Sequence, residues 1–195
     1  FLFTTPPNLL DAARKGMAPF DGSSFDGARA LFPMPFVTIH FVVRADAGID
    51  TAGGLAGRTF IAGGKGTFCE GRTRKILEVL ELLDKVEIVD VELDAAGSAM
   101  RNRKVDGYAT CSSHPTPQLV ELATTLPVRI LGFSPAERER IVALDPLSGP
   151  ITIAAGTYAG QDQPVETVGV PVGAYMTTAT DEATAYAIPR TFWAW

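Results

Sequence analysis

The sequence predicts an α/β fold, because short apolar runs rich in β-branched residues alternate with segments of helical periodicity, and glycine and proline punctuate the junctions between them. With 195 residues and 46% of them hydrophobic, the chain is long enough to bury a real core. The alternation of strand and helix further predicts a mainly parallel sheet.

Each element follows from local chemistry. Residues 1–4 read as a first strand, and "TPPNLLDAARKG" as a short helix capped by Asn8 and ended by Gly16. After a loop rich in Gly, Ser and Pro, "FVTIHFVVRAD" reads as a long buried strand over 36–44, with Val and Ile favouring extension over helix. A strand at 59–62, a glycine-rich turn and an amphipathic helix through about Leu83 follow. Ile76, Leu77, Leu80 and Leu83 fall on one face of that helix. "VEIVDVEL" reads as a strand, "AAGSAMRNRKV" as a short helix, and "DGYATCSSHPTP" as a strand ending in a polar turn. "PQLVELATTL" is a helix, "VRILGF" a strand, and "PAERERIVALD" a helix opened by Pro135. Extended segments with Gly and Pro then lead to a last helix near 181–188, read as a return to the structure begun by the first residues.

Charge and composition exclude several classes. Seventeen Lys and Arg against 22 Asp and Glu leave a net charge of -5, which argues against a nucleic-acid partner. No apolar run approaches the roughly 18 residues of a membrane helix, so no direct membrane insertion is expected. Phe1 follows no basic or cleavage-site pattern, which suggests a processing boundary, and Trp193 and Trp195 suggest that the other end is also cut short. No metal site and no cofactor motif is present in the cysteine and histidine spacing.

In an open α/β sheet, ligands gather beyond the carboxyl ends of strands, which selects three turns. In "GGKGTFCEG", Gly64 and Gly66 can present amides to an anion, Lys65 supplies countercharge and Thr67 a hydroxyl; a tight turn without a ligand is the plain alternative. The second turn groups Ser112, Ser113 and His114, whereas His40, inside an apolar strand, reads as structural. The third holds Tyr158, able to cover an organic ligand or to pack as a hinge aromatic. Cys69, in a first helical turn, could act as a thiolate with His114 in a hydrolase or transferase. If strand 59–62 neighbours the strand ending at Cys111, Cys69 and Cys111 could instead form a disulfide in an oxidising compartment.

The segments "VVRADAGIDTAGGLAGRTFIAGGKGT", "VDGYATCSSHP" and "AAGTYAGQDQPVETVGVP" together resemble the TAXI family of TRAP transporter solute receptors over nearly the whole chain. The resemblance implies a type II periplasmic binding protein fold: one complete α/β lobe, residues 38–155, with part of a second lobe in 1–37. A hinge crossing and return to that lobe would occupy 156–195. It also implies a binding protein rather than an enzyme, located in the periplasm or otherwise outside the cytoplasm. Such a protein holds a small anionic organic solute, an amino or organic acid, between its lobes and delivers it to a TRAP-type membrane permease. The family's glycine turn carries Gly-Ser-Gly-Thr, which sets Thr67 on its Ser, Phe68 on its Gly and Cys69 on its Thr, so the solute is expected to differ from glutamate-like ones. His114 and Tyr158 carry over directly. The family's opening βα unit has no counterpart here, which leaves a non-binding structural remnant as a further reading.

Overall fold

A computed structural model describes residues 2–18, 20–145 and 147–194. The chain divides into two compact units, one formed by 1–36 with 170–195 and the other by 37–169. Residues 156–169, expected in a hinge crossing, therefore belong to the second unit.

In the first unit, β1 (Leu2–Thr5) pairs antiparallel with residues 173–176 of β8 (Val165–Thr177), and Phe3 stacks on Tyr175 at 5.7 Å. Helix α1 (Pro7–Lys15) starts earlier than expected. Pro6 is its cap, and Asn8 lies inside the first turn, where proline at the leading positions already fixes φ. Gly16 ends α1 in the left-handed conformation, φ 61°, as its lack of a Cβ permits. The extended stretch before residue 36 is not a loop throughout: β2 runs from Ala28 to Arg44. The last helix, α6 (Glu182–Phe192), is capped by Asp181, buries no residue, and stacks Phe192 on Phe32 at 4.4 Å.

The second unit carries the main core. Strand β3 (Thr59–Ile61) pairs parallel with both β4 (Glu87–Ile88) and β5 (Gly107–Ser112). Strand β5 and strand β6 (Val128–Leu131), however, pair antiparallel with β2, and β7 (Gly149–Ile153) pairs antiparallel with β8. The expectation of a mainly parallel sheet is thus corrected to a mixed sheet. A strand with helices on both sides reads the same in either direction, so alternation alone did not reveal it. The run "VEIVDVEL" forms only the two-residue β4, because residues 93–95 turn into a 3-10 helix leading to α3 (Ala96–Arg101).

Helices cover both faces of this sheet. Alternation along β2 sends Ile39, Phe41 and Val43 to one side, where they join Ile76 and Leu77 of α2 (Phe68–Val79) and Ile141 of α5 (Pro135–Val142). Val42 faces the other side with Met100 of α3 and Leu119 and Leu122 of α4 (Pro117–Thr125). Thr38 and His40 share the parity of Val42, so two polar residues of a buried strand point to the α3 and α4 side.

Candidate functional site

The register of the second unit brings two of the selected turns to one end of the sheet, whereas the Tyr158 loop follows β7 and lies with Ala45 and Val128 toward the other end, its side chain reaching back beneath the sheet. Strands β3 and β5 are parallel, so the glycine turn and the serine-histidine turn leave the same edge, and Thr38 lies opposite Ser112. A disulfide, Cys69–Cys111, with Cα atoms 5.4 Å apart, ties the first turn of α2 to the end of β5. Gly63 is required beneath it: φ is +116°, and a Cβ there would lie 2.7 Å from Cys69 Sγ.

The glycine turn is closed by its own chain. The Gly66 amide donates to Glu70 at 2.6 Å, and Arg74 donates to the other Glu70 oxygen at 2.9 Å. The amide, with Arg74 beside it, holds the Glu70 carboxyl below its ordinary pKa. Thr67 caps α2, accepting from the Glu70 amide at 3.1 Å and donating to the carbonyls of Gly63 and Gly64 at 2.8 Å. Lys65 pairs with Asp90 at 3.7 Å, while Gly64 is buried. The amide, hydroxyl and ammonium expected to face an anion are therefore engaged internally. Phe68 stays at the surface, 40% exposed, and Cys69 has no thiol to offer as a nucleophile while it is joined to Cys111.

The second and third turns meet in a buried polar chain that sequence reading missed. The Thr116 amide donates to the Tyr158 hydroxyl at 2.9 Å, and that hydroxyl lies 3.0 Å from His40 Nε2. His40 Nδ1 lies 3.1 Å from the Thr38 carbonyl, which can only accept. His40 therefore carries its proton on Nδ1, its Nε2 accepts from Tyr158, and the neutral ring is fully satisfied. Burial lowers its pKa from 6.5 to about 4. The Thr38 hydroxyl meets His114 Nδ1 at 2.8 Å, and the two imidazole rings stand 6.4 Å apart. Thr38 and His40 are fully buried, His114 is half-buried, Ser112 is half-buried and Ser113 is exposed. The missed signal was parity: two polar residues spaced by two on an otherwise apolar strand share one face and need partners there.

Tyr158 also lines a groove of about 610 Å³ with Arg129, Ile130, Gln161, Gln163 and Glu166. Gln161 braces this loop, its side-chain amide donating to the carbonyls of Ala154 and Gln163 at 3.0 and 2.9 Å. Among the described residues, no cluster of three or more His, Cys, Asp or Glu is arranged to hold a metal, and no helix is long and apolar enough to cross a membrane.

A model of the NMT1-like family matches residues 7–194. Among solved structures, the fold is similar to a TctC solute-binding protein from Polaromonas, with TM-score 0.59 and 11% identity over 99% of this chain and 62% of that one. It is also similar to a putative periplasmic sulfonate-binding protein from Methylobacillus flagellatus, with TM-score 0.54 and 13% identity over 100% of this chain and 49% of that one. A periplasmic binding protein from Brucella ovis with glutathione bound gives TM-score 0.50 and 14% identity over 93% and 49%. The chain thus spans about half to three-fifths of the length of these proteins, and at such identities the likeness establishes a shared fold.

Proposed function

Since the chain belongs to the NMT1-like family, we propose that it is the solute-binding part of an extracytoplasmic receptor of the TAXI type. Its solute would be a small carboxylate-bearing molecule, delivered to a TRAP-type permease. Residues 37–169 correspond on this reading to the complete lobe, and the first unit to part of the other. The observation that carries the proposal is the buried hydrogen-bonded network that joins the disulfide-tied serine-histidine turn to Tyr158. Loop tips joined by a covalent link and a satisfied buried network supply preorganised polar groups, which is what a solute site needs from its scaffold.

Within the lobe, Ser112, Ser113 and His114 supply donors for the carboxylate and Tyr158 braces them from below. Gly64, Lys65, Gly66, Thr67 and Cys69 form the neighbouring wall, and a solute carboxylate reaches the Gly66 amide only by replacing Glu70. A binding role, with no bond made or broken, is favoured over a Cys-His hydrolase because the Cys69 sulfur is tied to Cys111.

The test is thermal unfolding against a panel of dicarboxylates, amino acids and sulfonates. A bound solute at a hundredfold excess over its Kd stabilises by about 2.7 kcal/mol. A carboxylate-dependent rise in Tm is expected. No rise for any member of the panel would defeat the reading and favour a non-binding remnant.

A further inference from the structure

From the contacts of its hydroxyl, we infer that Thr38 is a positioning residue that fixes His114 with its proton on Nε2, as a neutral hydrogen-bond donor for an oxyanion. The inference rests on the solute-binding reading of His114. It adds the chemistry that makes that contact selective.

Thr38 is fully buried, and a buried hydroxyl hydrogen without an acceptor is costly. Among the described residues, the one hydrogen bond of the Thr38 hydroxyl is to His114 Nδ1, at 2.8 Å. If Nδ1 carried the proton, the hydroxyl could only accept from it and its own hydrogen would be stranded. Donation from Thr38 to Nδ1 satisfies both groups, and it places the proton of the neutral ring on Nε2. No protein group among the described residues engages Nε2, and the ring is half-buried, so this N–H is the part of His114 left for a solute.

The backbone of the same residue does the opposite to the other histidine. The Thr38 carbonyl holds His40 as the Nδ1–H form, while Tyr158 donates to His40 Nε2. One residue of β2 therefore sets two histidines in opposite tautomers: its carbonyl makes His40 an inward, saturated brace, and its hydroxyl makes His114 an outward donor. The Nε2–H at that position donates to a carboxylate or another oxyanion and disfavours an ammonium group.

The chain contains two histidines, so the test is direct. Nitrogen-15 spectra of histidine-labelled protein at pH 8.5, with His114→Gln for assignment, are expected to show His40 as the Nδ1–H and His114 as the Nε2–H tautomer. In Thr38→Val, which keeps the branched shape and removes the hydroxyl, His114 should move toward a tautomer mixture. His40 should stay unchanged, because its bond is to the backbone, and this reports that the site is still folded. Thr38→Ser should restore the wild-type spectrum. Two histidines of the same tautomer in the wild type, or a His114 signal unmoved in Thr38→Val, would overturn the inference. With succinate as probe, Kd is expected to weaken about five- to tenfold in Thr38→Val, and an unchanged Kd beside a shifted tautomer would overturn the recognition role. Failure of succinate to bind the wild type would count against the solute reading instead, and the spectra would still decide the tautomer.

Discussion

The two imidazoles of this chain stand 6.4 Å apart and live in different surroundings. His40 is sealed within β2, with both ring nitrogens engaged and its pKa lowered to about 4 by burial. This has a consequence for acid stability. As pH falls below about 6.5 the unfolded chain takes up a proton on this histidine, and the folded chain does so only near pH 4. The unfolded state is thus favoured progressively across that window, by roughly 3 kcal/mol in full. Urea unfolding of His40→Gln between pH 7 and 4.5 should show a shallower loss of stability than the wild type. An equal loss in both proteins would show that His40 is not the group responsible. The shared parity of Thr38 and His40 signals that both need partners on one face, but not which groups supply them. The Thr38 carbonyl engages Nδ1 from the same strand, but the partner of Nε2, Tyr158, comes from a loop distant in sequence.

At the scale of elements, α2 was legible because its apolar spacing is intrinsic, and Ile76 and Leu77 are fully buried; but it ends at Val79, short of the expected Leu83, because Glu81 takes a left-handed conformation, and Leu80 and Leu83 pack at the edge of the same core from the C-cap and a following 3-10 helix. Helix α5 was equally plain. Pro135 opens it and Ser134 with Glu137 completes a capping box, a local device written in four residues. The glycine turn shows the limit of such reading. Its residue types suited an anion, yet Glu70, at the third position of the helix that follows, reaches back and supplies the anion itself. The cysteines depended on pairing. Parallel alignment of β3 and β5 brings residues 42 apart in sequence to bonding distance. Closing a loop of this length stabilises by about 2–4 kcal/mol, chiefly by restricting the unfolded chain. The Cys69→Ser, Cys111→Ser protein, or the wild type under reductant, should unfold at correspondingly lower urea concentration. Coincident unfolding curves with and without reductant would show that the link adds no stability.

On the scale of the whole molecule, the two units differ in what holds them. The second has helices on both sheet faces and two clusters of buried side chains, whereas in the first α6 buries nothing and leaves Tyr186 at 70% and Trp193 at 66% exposure. Amide exchange should therefore be slow over Ile39–Val43 and Ala109–Cys111 and fast over residues 182–192, since protection follows buried packing. Uniform protection across both regions would contradict this account. The amino-acid sequence alone determined the α/β class, the positions of most helices and the three turns that merit chemical interest, because periodicity, caps and glycine conformations act over a few residues. Tertiary structure decided the mixed direction of the sheet, the disulfide, the self-closure of the glycine turn and the Thr38–His40–Tyr158 chain. Each of these depends on which distant segments become neighbours, and neither strand direction nor the partner of a buried hydrogen-bonding group is encoded by local spacing.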